Sequence, residues 1–128
     1  MDYVADTHSL VWYFTGDSRL SEKALQAFEG TRKEGVIIIP TVCLAELMYI
    51  AKKGRITLTF EETLKKIEEL ENFENAPLDI DILRVADEIE AELEMHDKLI
   101  VATALHFNAT LITKDESIRN TGICSTIW

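Results

Sequence analysis

Apolar residues in this chain fall into short continuous runs and longer periodic stretches. The runs are Tyr3-Val4-Ala5, Val36-Ile37-Ile38-Ile39 and Ala109-Thr110-Leu111-Ile112-Thr113. The second is β-branched at every position and bounded by Gly35 and Pro40, which predicts a strand buried on both faces. Ala76-Pro77-Leu78 and Ile123 to Ile127 predict two further short strands. Between the runs the period changes to that of a helix. His8 to Phe14 reads as a short helix. Ser21-Glu22-Lys23-Ala24 opens another, with Ala24, Leu25, Ala27 and Phe28 as its apolar face. Thr41 can cap a helix running to about Lys53, and Thr59-Phe60-Glu61-Glu62 is a capping box opening a charged helix to about Asn72. A helix from about Ile80 to Leu93 follows, and Asp97 opens the last, Leu99 to Phe107. Strands alternating with helices predict an α/β fold with a mostly parallel sheet, whose ligands bind beyond the carboxyl ends of the strands.

Composition narrows the class. The chain has 128 residues, enough for one domain, of which 47% are hydrophobic and 28% charged. Five Gly, two Pro and two Cys exclude collagen-like, disordered and disulfide-stapled proteins. Cys43 and Cys124, in apolar surroundings and without CxxC spacing, read as reduced core thiols. No apolar stretch is long enough to span a bilayer. Asp2 and Asp6 stand where a secretory signal would carry bases, which predicts a cytoplasmic protein.

The net charge of −10 is hostile to a polyanion until it is divided along the chain. Residues 61–97 hold 14 acids against Lys65, Lys66 and Arg84; the rest holds 9 acids and 10 bases. The acidity therefore belongs to the middle helices, and the remaining surface can still meet phosphates. Small basic groups stand at Lys52-Lys53-Gly54-Arg55 and around Lys114 and Arg119, although for the first, bases followed by glycine are also how helices end.

Four acids stand out by position. Asp6 and Asp115 lie at strand exits, where they could also be an N-cap and an Asx-turn residue. Glu46 is the sole charge among Val42, Cys43, Leu44, Ala45, Leu47, Met48, Tyr49 and Ile50, an expensive place for a carboxylate unless something compensates it. Its alternative is a snorkelling surface side chain. Asp97 precedes a mostly apolar helix, where N-capping is again the alternative. In a parallel α/β layer all four can point at one edge. Two carboxylates about 5 Å apart repel by about 3 kcal/mol at an effective dielectric near 20. A cluster of this kind calls for raised pKa values or a bound cation, and an all-oxygen donor set suits Mg²⁺ or Mn²⁺ better than zinc. His8, His96 and His106 lack metal-ligand spacing; His96 reads as a surface residue or one supporting the acids from behind.

The stretches Val4-Ala5-Asp6-Thr7-His8-Ser9-Leu10-Val11-Trp12, Thr41-Val42-Cys43-Leu44-Ala45-Glu46-Leu47, His96-Asp97-Lys98-Leu99-Ile100-Val101-Ala102-Thr103-Ala104 and Leu111-Ile112-Thr113-Lys114-Asp115 together resemble the PIN-domain ribonucleases, most closely the VapC-like toxins of toxin–antitoxin pairs. No single stretch is specific; their order and spacing over nearly the whole chain are. The resemblance implies one PIN domain over residues 1–128, with three α/β/α layers and a central, mostly parallel sheet of four to five strands. It implies an RNA endonuclease using Mg²⁺ or Mn²⁺, with Asp6, Glu46, Asp97 and Asp115 as catalytic, metal-holding acids. Thr7 and Thr113 become hydroxyl neighbours that position substrate. Glu94, three residues before Asp97, stands near a further family acid, and its membership of the site stays open. A homodimer and a small antitoxin partner are also implied, the latter meeting Leu44, Leu47, Met48 and the 59–72 helix. Other PIN nucleases serve RNA maturation and decay. Two readings from other classes compete: a non-catalytic PIN-like module binding a metal or a basic partner, and a phospho-acceptor or phosphotransferase domain. The second lacks the acidic pair after its first strand, where Asp6 leads into Thr7-His8.

Overall fold

The computed structural model describes all residues from Met1 to Trp128. Five strands form one sheet: β1 Tyr3–Ala5, β2 Ile37–Pro40, β3 Phe73–Ala76, β4 Thr110–Ile112 and β5 Thr126–Ile127. Their order is β3-β2-β1-β4-β5 and every pairing is parallel, with Val4 opposite both Ile38 and Leu111. Parallel neighbours need crossovers, supplied by α1 Thr7–Thr15, α2 Glu22–Gly30, α3 Thr41–Lys52, α4 Phe60–Glu69, α5 Ile80–Asp87, α6 Met95–His106 and α7 Glu116–Arg119. Side chains alternate across the sheet. Val4, Ile38 and Leu111 join one core with Ile82, Ile100, Val101 and Ile118, whereas Ala5, Ile37, Ile39 and Ile112 join another with Leu10, Phe28, Leu44 and Leu47. The result is a three-layer α/β/α sandwich. No helix is long and apolar enough to cross a membrane. Both cysteines are unpaired thiols; Cys43 is buried and Cys124 half-buried.

Several boundaries differ from the sequence reading. The third strand is Phe73–Ala76, not Ala76-Pro77-Leu78. Proline cannot donate to a ladder, and β3 is an edge strand whose central Glu74 and Asn75 are exposed, so it carries little apolar signal. Asn75 Nδ2 fixes this edge by donating to Ile39 O at 3.1 Å and Thr41 Oγ1 at 3.0 Å. Thr41 is therefore no cap; it begins α3, and its hydroxyl donates to Ala76 O at 3.0 Å. α4 ends at Glu69, before Asn72, although Thr59 caps it as expected, accepting from Glu62 N at 3.1 Å.

α5 stops at Asp87 instead of Leu93. In Glu88-Ile89-Glu90-Ala91-Glu92-Leu93-Glu94 acids alternate with apolar residues, a period of two that no one-sided helix accommodates. The segment runs outside helix and strand, with Ile89, Ala91 and Leu93 packed inward and the acids exposed. α6 begins at Met95, so Asp97 lies inside its first turn and does not cap it. Leu25 is exposed on α2, and α3 exposes Ala45, Met48 and Tyr49, so neither helix matches its expected apolar face. Leu44 and Leu47 are buried in the core, which removes them from any partner contact and leaves Met48.

Gly35 turns the chain into β2 at φ +103°, and a Cβ there would collide with the Met1 carbonyl. Gly35→Ala is expected to destabilise the fold by roughly 1–3 kcal/mol, because positive-φ strain and the backbone clash act together. Urea denaturation checks this; an unchanged midpoint contradicts it.

Candidate active site

The strand order reverses direction between β1 and β4. In a doubly wound sheet, this is where chain segments diverge and leave a crevice. Asp6 ends β1 and caps α1, its Oδ1 accepting from Ser9 N at 2.9 Å. Ser9 in turn donates its hydroxyl to Ile112 O at 3.1 Å, which fastens the start of α1 to the end of β4. Asp115 follows β4 and caps α7. Its Oδ1 accepts from both Ser117 N at 2.8 Å and Ser117 Oγ at 2.6 Å, and its own N–H donates to Thr113 Oγ1 at 3.1 Å. The expected turn roles are thus real for both strand-exit acids, and each cap bond goes to Oδ1.

Asp6, Glu46, Asp97 and Asp115 all line one cleft of about 390 Å³, with Glu94, Thr7, His8, Trp12, His96 and Lys114 also on its walls. Thr113 does not line it. That residue is fully buried beneath the floor. Thr7 is almost wholly buried, and its Oγ1 has no aligned hydrogen-bond partner, although it stands close enough to the Glu46 carboxylate to favour its charge. An orphaned hydroxyl of this kind is unusual in a folded protein and points to a missing acceptor.

Electrostatics divides the acids into two kinds. Burial raises the Asp6 pKa, against hydrogen bonds from Ser9 and Thr113 that lower it. Asp97 is raised by desolvation first and then by repulsion from Asp115, Glu94 and Glu46, so its carboxylate feels the other acids of the cleft. Glu46 goes the other way, held at about 2 chiefly by His96, with a further contribution from the Thr7 hydroxyl. His96 Nε2 lies 3.2 Å from Glu46 Oε1. This nitrogen nevertheless lacks an aligned hydrogen-bond partner, so the contact is one of charge more than of directed bonding. Glu46 therefore has a counter-ion and is no snorkelling side chain. His96 has a larger place in the site than its sequence position suggested. The signal was the isolated carboxylate itself, which required a partner, but nothing local to Glu46 identified which one.

The Glu46–His96 pair has a defined pH window. It raises the His96 pKa above 6.5, a contribution present below that value and lost as pH rises through the folded-state pKa. It lowers Glu46 from 4.5 to about 2, a contribution present above 4.5 and lost as pH falls towards 2. His96→Ala is expected to cost about 0.5–1 kcal/mol near pH 5.5 and distinctly less near pH 8, since both partners are partly exposed. Denaturation curves at the two pH values check this, and an equal loss at both removes the pair from the explanation.

The donor set fits a hard divalent cation: carboxylate oxygens, an unpartnered hydroxyl and two acids with raised pKa values. No three of these acids and histidines stand close enough to form a finished chelate as they are placed. The cleft is open, and its acids converge around a space without closing on a point.

A parallel three-layer sandwich with acids gathered at its switch point defines the class of α/β domain to which this chain belongs. The sequence matches the PIN domain over residues 3–123, and the chain belongs to that family. Its fold is similar to VapBC2 from Rickettsia felis, solved bound to a promoter DNA fragment, with 21% identity, TM-score 0.73 and coverage of 99% of this chain and 98% of that one. A toxin–antitoxin complex from Klebsiella pneumoniae is similar at 22% identity and TM-score 0.70, covering 98% and 96%. VapC20 from Mycobacterium tuberculosis, a sarcin–ricin loop cleaving toxin, is similar at 14% identity and TM-score 0.65, covering 95% of each chain. Curated protein sequences give no significant match.

Proposed function

We propose that residues 1–128 act as one PIN domain that hydrolyses RNA phosphodiesters with Mg²⁺ or Mn²⁺, as the toxin of a toxin–antitoxin pair. The observation that carries this reading is the convergence of Asp6, Glu46, Asp97 and Asp115 on a cleft that also receives an unpartnered Thr7 hydroxyl. Asp6 and Asp97, supported by Glu46 and Asp115, would hold a divalent cation, which when bound would supply charge neutralisation and water activation for in-line attack. The protein's own groups set the stage. Thr7 offers its hydroxyl to a phosphate oxygen. Thr113 positions Asp6 and Asp115 from below the floor and reaches no substrate itself. His96 offsets the Glu46 charge in the resting protein.

The relatives supply the biological frame. VapBC complexes and the sarcin–ricin loop cleaving toxin are similar in fold, which supports a small antitoxin partner and an RNA substrate met in the cytoplasm. Met48, Ile56 and Phe60 line an apolar groove between α3 and α4 suited to such a partner. Exposed Leu78, Ile80 and Leu83 suit a homodimer contact.

The direct test is incubation of purified protein with RNA. Cleavage is expected with Mg²⁺ or Mn²⁺, is stopped by EDTA and is restored by excess metal. Cleavage that ignores chelation overturns the metal. One rival is favoured by the incomplete chelate: a PIN-like module whose acids bind a basic segment of a partner protein. Calorimetric titration without Mn²⁺ heat, in folded protein that cuts no RNA, selects the rival.

A further inference from the structure

A second groove, of about 550 Å³, adjoins the acidic cleft and shares His8, Trp12 and Glu46 with it. Its far wall carries Arg19 and Arg55. Trp12 stands between the two spaces. Trp128 meets the Trp12 ring edge-on, with centroids 5.8 Å apart, and His8 lies tilted at 5.8 Å, so the indole has a fixed attitude. The Arg19 guanidinium carbon sits 5.0 Å from the Trp12 ring centroid. Asp17 holds that guanidinium in place by accepting from Nε at 3.1 Å and from a terminal nitrogen at 2.8 Å. Lys114 Nζ lies 5.8 Å from the same ring. Lys114 and Arg55 make no salt bridge with any acid.

These features contrast with the acids next door. An RNA strand with one phosphate at Asp6 and Asp97 cannot be held by that cleft alone, because the surrounding carboxylates repel its neighbouring phosphates. The adjoining groove adds an unpaired cation, Arg55, and the Trp12 ring with the Arg19 guanidinium held against it, while Lys114 stands on the cleft side of the same ring. Such a surface takes a nucleobase by stacking, and only an unpaired base can present its face.

We propose that Trp12, backed by Arg19, is the stacking platform for a nucleobase flanking the cleaved phosphate of an unpaired RNA segment, with Arg55 and Lys114 meeting the adjacent phosphates. This inference rests on the ribonuclease reading, and it assigns that site its substrate form: a single strand or loop. It also makes Trp12 a positioning residue that binds substrate away from the reacting atoms.

The test measures binding apart from cleavage. Full-length Asp97→Asn protein is titrated in Mg²⁺ buffer with a labelled twelve-nucleotide oligouridine and with an abasic strand of equal length and charge. The base-bearing strand is expected to bind at least about ten-fold tighter. Adding Trp12→Leu is expected to erase that preference, whereas Arg55→Gln weakens both strands alike and lowers the salt slope by about 0.7. Equal binding of the two strands, or a preference surviving Trp12→Leu, overturns the proposal. If Trp12→Leu fails to fold, a second measurement decides. The chain has two tryptophans, so Trp128→Phe leaves Trp12 as the sole indole. Its emission is expected to be quenched by the base-bearing strand and not by the abasic one; absence of that difference overturns the platform. Preserved base preference in a parent protein that never cuts RNA sinks the nuclease reading alone. Metal-dependent cutting without base preference sinks the platform alone.

Discussion

Asp6→Asn and Asp97→Asn are expected to reduce metal-dependent RNA cleavage at least about a hundred-fold and, in metal-free buffer, to melt above the parent protein. The loss of activity follows from removing one anionic donor from a small oxygen set, where an amide is a poor substitute. The gain in stability follows from the same residues. Burial disfavours the Asp6 charge, and Asp97 is desolvated and repelled by Asp115, Glu94 and Glu46. A carboxylate whose pKa is raised by folding opposes folding when ionised. The amide removes that opposition, and asparagine still caps a helix well, so the Asp6 bond to Ser9 N survives. For the buried Asp6 the gain should be on the order of 1 kcal/mol, or a few degrees in Tm, and for the more exposed, solvent-screened Asp97 it should be smaller. Activity assays and thermal melts on the same preparations check both halves. A variant that loses activity and also stability would show that the acids serve the fold instead of the chemistry.

Excess Mg²⁺ or Mn²⁺ should produce a still larger shift in the parent protein. At about a hundred times the dissociation constant, a ligand specific for the folded state adds about 2.7 kcal/mol. For a chain of this size that is on the order of 10 °C in Tm. The sign of the pH dependence is fixed by the raised pKa values of Asp6 and Asp97. Protons compete with metal for those carboxylates, so the metal-induced rise should shrink as pH falls through the elevated values. Without metal the same titration works oppositely: protonation relieves the buried charges, and their destabilising contribution fades towards acid pH. A metal effect independent of pH, or one that persists undiminished in Asp6→Asn, would place the ion elsewhere.

How far the sequence foretold this molecule depended on the reach of each interaction. β1, β2 and β4 were legible because burial on both faces leaves an unbroken apolar run, as in Val36 to Ile39. β3 was not, because an edge strand stabilised by Asn75 and Thr41 bonds has little hydrophobic content. The end of α5 was overrun because Ile82, Ala86, Ile89 and Leu93 keep helical spacing, while the two-residue alternation from Glu88 to Glu94 decides the local structure. The four acids were visible as local anomalies, and the structure gathers them on one cleft. His96 reads as a surface or supporting residue and Lys114 as part of a small basic group, and both line the cleft; Trp12 was not foreseen there, because nothing in its sequence setting separates it from an ordinary core aromatic. Thr113 is fully buried and does not line the cleft, since its burial depends on how the end of β4 packs between layers.

The alternating segment after α5 has a consequence for how a polyanion sits. Glu88, Glu90, Glu92 and Glu94 are exposed, and Glu94 reaches the rim of the cleft opposite in character to Lys114 and Arg55. On the proposed nuclease reading, a strand seated in the cleft is attracted by Lys114 and Arg55 and repelled by Glu94, and after scission the fragment beside Glu94 should depart first.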